Sequence, residues 1–503
     1  MPGSESFEYA EPPAAAMVEA LRGIGYNAKT AIADLIDNSL AAGSATVWID
    51  FHWDGADSFV TILDDGRGMS EDELRQAMRP GSRNPLETRH PTDLGRFGLG
   101  LKTASFSQCR RLTVASKPAS GVVSIRRWDL DYVVAHNEWR LLVGPSDGSA
   151  THCDIVSGLD HGTLVLWERL DRLVGEADPA DEEAQKRFRE LADEVRDHLG
   201  MVFHRFLEGS RPTLRVFING RGHEHRVEAW DPFLENHPAT ISTPVESIPF
   251  GSGQIELRGF VLPHKDKLGE AAHRAASGPA GWNAQQGFYV YRNRRLLVPG
   301  SWLDLGWAKE EHYKLARICL DIPNTMDTDW KIDVRKATAR PPSAVRKRLK
   351  DLAERVRKQA REVFAHRGDG RPRDPRQPLV RAWDPIHRNG RLVYRINRDH
   401  PVVAACLTPD DADRPKVSRA LRILEETVPV SRIWLDVAEK PESPAQPFEG
   451  ARDGEVLKMM QQLYTNMRVS QGLSAEIAKA RLLLLEPFNA FPHLLDHLAE
   501  PNP

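Results

Sequence analysis

Cysteine is scarce. Four residues in 503, Cys109, Cys153, Cys319 and Cys406, lie too far apart for a CxxC pair or a metal cluster. That excludes a disulfide-framed domain or a zinc finger and leaves buried thiols in a reducing compartment as the expectation. Long apolar runs are missing too: none approaches the ~18 residues that a spanning helix needs. Met1–Pro13 is acidic, with neither a basic start nor an apolar centre, so no secretory leader is expected there. A soluble, cytoplasmic protein without membrane contact is expected. Charge of one sign is also lacking, with 68 Lys and Arg against 71 Asp and Glu and a formal net charge of −3. Any contact with nucleic acid must therefore come from a local patch. There is no HExxH and no evident repeat. The 18 histidines are scattered, and His264, His312 and His400 read as surface or core residues.

The information is concentrated between Asn27 and Lys102, in three short motifs. Asp34-Leu35-Ile36-Asp37-Asn38-Ser39 lies inside Ala28–Ala42, a stretch that reads as a helix. Asp64-Asp65-Gly66-Arg67-Gly68-Met69 follows Phe59–Leu63, an apolar run that reads as a buried strand. Gly95-Arg96-Phe97-Gly98-Leu99-Gly100-Leu101-Lys102 opens another helical pattern. Asp34 and Asn38, four apart, project from one helix face. Asn38 offers a neutral oxygen to Mg²⁺, which takes further ligands from water and nucleotide phosphates. Asp34 is then placed to orient or deprotonate a water. Asp64, at a strand end, can accept a hydrogen bond from an exocyclic amine such as that of adenine. Gly66 and Gly68 permit positive φ and a close approach to the base. Gly95, Gly98 and Gly100 free backbone N–H groups for phosphate, and Lys102 adds charge. Asp37 points elsewhere and reads as support for the site or as a solvated face.

Taken in order, the motifs resemble the N, G1 and G2 boxes of the GHKL ATPases, which share the Bergerat nucleotide-binding fold. Gly162-Thr163, before Leu164–Trp167, resembles the fourth box, whose threonine lies near adenine. Gly98–Lys102 and Gly287–Asn293 look most like MORC-type ATPases and their bacterial relatives. The resemblance covers roughly 15–365. It implies an α+β fold, a Bergerat-type α/β sandwich followed by a transducer-like α/β domain and a small mixed C-terminal region. The implied ligands are ATP and Mg²⁺: Asn38 holds the metal, and Asp64, Gly66, Gly68, Met69, Gly95, Gly98, Leu99, Gly100, Leu101, Lys102 and Thr163 hold the nucleotide. Asp34 stands where the family has a glutamate base, shorter by about one C–C bond, so slow turnover is expected. Asp65 stands where relatives often have Asn, and Ala41 where many have Asp.

Strands are expected at Ala45–Phe51, Phe59–Leu63, Arg111–Ser116, Val122–Leu130 and Thr163–Glu168, and helices at Ser70–Met78, with a capping box of Ser70 and Glu73, and Gly100–Gln108. Arg79–Leu94 matches the family's ATP lid, with Ser82, Arg83 and Arg89 available to phosphate or a partner. Residues 1–206 form the expected ATP-binding domain, ending in a long helix, Glu182–Phe206. Residues 207–366 form the transducer-like domain, opened by Leu214–Ile218 with further strands near Ile255–Leu262, Gly287–Tyr291 and Ala316–Asp321. Such a domain returns one basic residue to the γ-phosphate, and Lys331 and Lys336 are both candidates. Pro341–Gln377 carries 12 Lys/Arg against 5 Asp/Glu, a run able to pair with the phosphates of DNA. Arg292, Arg294 and Arg295 form a second basic cluster that would widen the patch. Residues 367–378 read as a linker and 379–503 as a domain of unassigned role, with a strand at Leu392–Asn397, a helix at Pro415–Val428 and an apolar stripe along Glu455–Val469.

The resemblance implies an ATPase that dimerises through its N-terminal region on binding ATP and acts on DNA. A catalytically weak ATP-gated scaffold, or a chaperone-like ATPase acting on proteins, is the alternative. A sensor kinase fits poorly, since no histidine precedes His52.

Overall fold

Helix α1 (Ala14–Arg22) and helix α2 (Ala28–Ala41) lead into a sheet of seven strands. The computed structural model describes residues 8, 12–23, 25–81, 100–251, 253–323, 326, 329–332, 339–365, 380–388, 391–407, 413–433, 448 and 453–501. The fold is α+β. The chain falls into two compact units, residues 1–368 and 369–503.

The first sheet takes β1 (Thr46–His52), β2 (Phe59–Asp64), β3 (Arg111–Lys117), β4 (Ser124–Asp129), β5 (Leu142–Val143), β6 (Gly162–Glu168) and β7 (Arg215–Ile218), in the order β5-β4-β3-β6-β2-β1-β7. Around it come α3 (Glu71–Met78), α4 (Gly100–Phe106), α5 (Leu130–His136), α6 (Ala150–Cys153), α7 (Glu182–Val202) and α8 (His204–Leu207). The capping box on α3 forms, Ser70 Oγ accepting from the Glu73 N–H and Glu73 from the Ser70 N–H. Helix α2 packs against α4 and α7 through a core that includes Ala31, Ile32, Leu35, Ile36, Val47, Ile62 and Leu199.

Two expectations change. Leu214–Ile218, expected to open the transducer-like domain, supplies β7, which pairs parallel to β1 with Val47 opposite Val216. The long helix expected over Glu182–Phe206 breaks at Phe203, and the short α8 restarts there, with His204 Nε2 2.8 Å from the Tyr291 hydroxyl.

The second sheet contains β8 (Ile241–Ser242), β9 (Glu246–Phe250), β10 (Gly253–Val261), β11 (Gly287–Arg292), β12 (Arg295–Ser301) and β13 (Ala316–Ile322), ordered β12-β11-β13-β10-β8 with β9 also on β10. Strand alternation gives it two apolar faces. Tyr289, Tyr291, Leu296, Cys319 and Phe260 join the core of the first sheet, so the two sheets share one interior. Phe288, Val290, Ile318 and Leu320 face the other way, where α9 (Glu270–Ala276) and α10 (Gly281–Ala284) precede α11 (Ser343–Ala365), which covers the face with Val345, Leu349, Leu352 and Val356.

In the second unit, Trp383–Arg388 and Arg391–Ile396 form a hairpin, and helices run over Pro401–Ala405, Arg414–Glu426, Asp453–Val469 and Ala475–Leu482. The apolar stripe along Asp453–Val469 packs inward: Val456, Met460, Leu463, Tyr464 and Met467 are core residues. The expected linker at 367–378 lies outside the described residues.

Candidate nucleotide site

Helix α2 begins where the Asn27 side chain accepts the Thr30 N–H at 2.9 Å, a preferred N-cap arrangement. Its apolar residues seat it in the core, and that burial carries charged residues inside with it. Asp34 and Asp37 are 5% and 1% exposed, whereas Asn38, one turn on from Asp34, is exposed.

One end of the site is assembled by strand register. Asp64 closes β2 opposite Thr163 of β6, and Thr163 stands opposite Ser116 of β3, so three polar residues form a row across three strands. Ser116 Oγ is 2.8 Å from Thr163 Oγ1 and accepts the Met69 N–H at 2.9 Å. Asp64 accepts from Ser39 Oγ at 2.8 Å and from the Gly66 N–H at 2.9 Å. Burial pushes the Asp64 carboxyl above its usual range, against the hydrogen bonds of Gly66 and Ser39, which favour the charged form. His161 Nδ1 lies 2.6 Å from the Gly66 carbonyl. The turn needs glycine at Gly68: φ is +67°, and a Cβ there would run into the Lys117 carbonyl. Asp65, where relatives often have Asn, holds the loop shut. Burial opposes its charge, but hydrogen bonds from Ser44, Ala45 and Thr46 keep its carboxyl below the ordinary range.

The other end lies on the buried side of α2. The Tyr26 hydroxyl donates to Asp34 Oδ2 at 2.8 Å; burial and the Asp34 charge push its pKa far up, so it stays a donor. The start of α4 abuts the same carboxylate, since a Cβ on Gly100 would stand 3.9 Å from Asp34 Oδ2. From the second sheet comes Arg295. Its Nε donates to both Asp37 oxygens at 3.2 and 3.1 Å, an NH1 donates to the Leu296 carbonyl at 2.9 Å, and NH2 lies 3.7 Å from Asp34 Oδ1.

Two readings of the sequence are therefore corrected. Asp37 is not a solvated face; it is a buried partner of an arginine. Arg292 and Arg295, expected to widen a basic patch, are 2% and 4% exposed, so a polyanion cannot reach them. Exposed Arg294 donates to the Arg205 carbonyl. The Lys102 ammonium, expected to face phosphate, donates to the Ala77 carbonyl at 2.9 Å from a buried position, and Leu101 packs against the core. Lys331 is exposed with φ +48°, and no hydrogen bond or ion pair joins it to α2 among the described residues. Gly95, Gly98, Leu99 and Lys336, with residues 82–94 of the expected lid, lie outside the described residues. A cavity of about 360 Å³ lined by Arg205, Asp231, Phe233, Glu256, Cys319 and Asp321 contains none of the motif residues.

Residues 26–163 match the family described as histidine kinase-, DNA gyrase B- and HSP90-like ATPases. Over those residues the chain is similar to the GHKL ATPases. The GHKL match begins at Tyr26, which holds Asp34, and ends at Thr163, in the polar row. Among relatives, the DNA mismatch repair protein MutL of Halobacterium salinarum is 35% identical over 89 residues, 17% of this chain and 13% of that protein. The ATPase morc-1 of Caenorhabditis elegans is 33% identical over 88 residues, 18% of this chain and 10% of its own length. The chain thus covers about a tenth of the length of these relatives. The match supports ATP as the ligand of the GHKL pocket. Tyr26, Ser116, His161 and Arg295 went unnoticed in the sequence as parts of the site; the last three meet partners far along the chain, and Tyr26, though only eight residues from Asp34, precedes the helix and follows no helical spacing.

Proposed function

We propose that the chain binds ATP with Mg²⁺ in this pocket and hydrolyses it slowly. The observation that carries the reading is the Ser39–Asp64 hydrogen bond. It ties the strand end, with its Gly66, Met69 and Thr163 neighbours, to the helix that bears Asp34 and Asn38. The site fits a nucleotide by its donors. Asp64 is a nearly buried acceptor whose donors, Ser39 on one oxygen and the Gly66 N–H on the other, are neutral, leaving lone pairs for an exocyclic amine, and glycine at 66 keeps Asp64 Oδ1 open, since a Cβ there would stand 2.9 Å from it. The site fits Mg²⁺ through the exposed amide oxygen of Asn38 on the same helix, a hard oxygen ligand. Bound there, the ion would supply charge neutralisation for the phosphates. Asp34, one turn earlier, orients the attacking water and accepts its proton, with Tyr26 fixing the carboxylate. A binding titration tests this: Asn38→Ala should abolish the Mg²⁺ dependence of ATP binding, and unchanged ATP binding and turnover there would sink the site assignment.

The wider reading is ATP-gated dimerisation through the N-terminal region, acting on DNA, as in MORC-like proteins. Helix α11 supports the DNA part. Its apolar face is buried while Lys347, Arg348 and Lys358 are exposed; other cations are engaged, Arg355 with Glu246 and Arg357 over the Tyr313 ring at 3.9 Å. Residues 366–377 of the basic segment lie outside the described residues. Particle size with ADP, ATP and a non-hydrolysable analogue, and DNA binding at low salt, decide these points. Invariant mass would favour a static scaffold.

A further inference from the structure

The buried contact between Arg295 and helix α2 goes beyond the nucleotide pocket itself. Arg295 begins β12, and the two residues before it, Asn293 and Arg294, both have positive φ, +47° and +68°. That is the backbone of a two-residue hairpin turn whose twist suits the flanking strands. The turn registers Arg295 opposite Arg292 and leaves its side chain in the interior that the two sheets share, stacked 5.8 Å from the Phe203 ring. Helix α7 packs against both α2 and β12, so the arginine crosses between two elements already held together. It meets two carboxylates on the helix that carries the hydrolytic groups. The hydrogen bonds go to Asp37, and the charge of NH2 falls on Asp34 at 3.7 Å. Tyr26 occupies the other Asp34 oxygen.

From this we infer that Arg295 is a positioning residue for Asp34. Supplied by the second sheet and anchored on Asp37, it holds the base carboxylate aligned through the oxygen that Tyr26 leaves. The inference rests on the reading of Asp34 as the base. Asp34 is only 5% exposed, so its alignment is set by the side chains packed on it rather than by water, and an aspartate, shorter than the family's glutamate, has less reach with which to find its own geometry. Alignment of the base then depends on the second sheet being docked, which couples the hydrolytic step to the arrangement of the two sheets without any contact between Arg295 and nucleotide.

Arg295→Met alone would leave a buried carboxylate without its arginine and destabilise the fold. The test therefore pairs Arg295→Met with Asp37→Asn, which removes both charges together, and adds Arg295→Lys, which keeps the charge and loses the fork. ATP turnover, the affinity for a non-hydrolysable ATP analogue with and without Mg²⁺, and thermal unfolding are measured on the full chain. The double variant should unfold cooperatively and bind the analogue within about twofold of wild type. Its kcat should fall about tenfold or more, as expected when a catalytic group loses its alignment, and Arg295→Lys should fall between the two. Wild-type turnover in a folded double variant overturns the proposal. Loss of cooperative unfolding, or parallel loss of analogue affinity, assigns the pair to the fold and overturns it equally. Asp34→Asn separates this failure from that of the broader reading: if it too keeps wild-type turnover, the assignment of the base falls; if it is inactive while the double variant is active, only the role of Arg295 falls.

Discussion

The two ends of the nucleotide site are built by different means. The Asp64 end is assembled within one sheet: register aligns Asp64, Thr163 and Ser116, and the donors on Asp64 are neutral. The Asp34 end is assembled across two sheets, and its buried carboxylates sit beside a charge delivered by a strand far along the chain, Arg295 standing 258 positions after Asp37. The first end should tolerate disturbance of the second sheet, and the second should not. A pocket can therefore keep its affinity while losing its turnover.

The largest expected effect tests the two ends directly. Asp34→Asn should lower kcat about a hundredfold or more, the usual worth of a general base, with analogue affinity unchanged in a binding titration. Asp64→Asn should do the reverse, removing measurable ATP affinity, because an amide presents a donor where the base also donates. Affinity surviving in Asp64→Asn would erase the contrast. Next comes the turn: Gly68→Ala must hold φ near +67° against the Lys117 carbonyl, at about 1–3 kcal/mol of strain, read as a lower melting temperature together with weaker ATP binding. Smaller still are the single donors. Ser39→Ala and Tyr26→Phe each delete one hydrogen bond to a pocket carboxylate, about 1–3 kcal/mol where a buried acceptor loses its partner. The first should appear in Kd and the second in kcat, and the opposite assignment would contradict the division.

A separate effect, outside the pocket itself, is in pH. His198 on α7 is held neutral by burial and by the positive charges of Arg295 and Lys29, its pKa lowered to about 3. Because the folded value is depressed, the unfolded chain binds the proton first. Stability is intact above the ordinary histidine pKa near 6.5 and is lost as pH falls from there toward about 3. His198→Gln should flatten that part of the melting-temperature profile, and Arg295→Met with Asp37→Asn should raise the His198 pKa measured by NMR titration.

The Asp64 end was legible in the sequence because its chemistry is local. An apolar run ending in Asp64, two glycines after it, and Asp34 and Asn38 one turn apart each declare their geometry within a few residues. The helices and most strands around them were equally readable from periodicity. Arg295 was not. Asn293-Arg294 lacks the glycine that marks most two-residue hairpins, so β12 went unseen, and three arginines in four positions read as surface charge. Nothing in that run tells an arginine that meets water from one that meets two carboxylates. Tyr26 and Ser116 carry no local mark either, and β7, although expected as a strand, was expected in the other sheet: a short apolar strand takes its sheet from its partner, and the partner here was β1.

That last pairing has a practical consequence. A shortened protein ending after α7 would keep every motif of the nucleotide site, yet it would strip β1 of its parallel neighbour. The backbone N–H and C=O groups along Thr46–Ile49 that β7 covers would then lie open on an edge, a template for other copies of the chain. Such a fragment should betray itself first by sticking to itself rather than by losing ATP, and during synthesis the sheet can close only after residue 218 has left the ribosome.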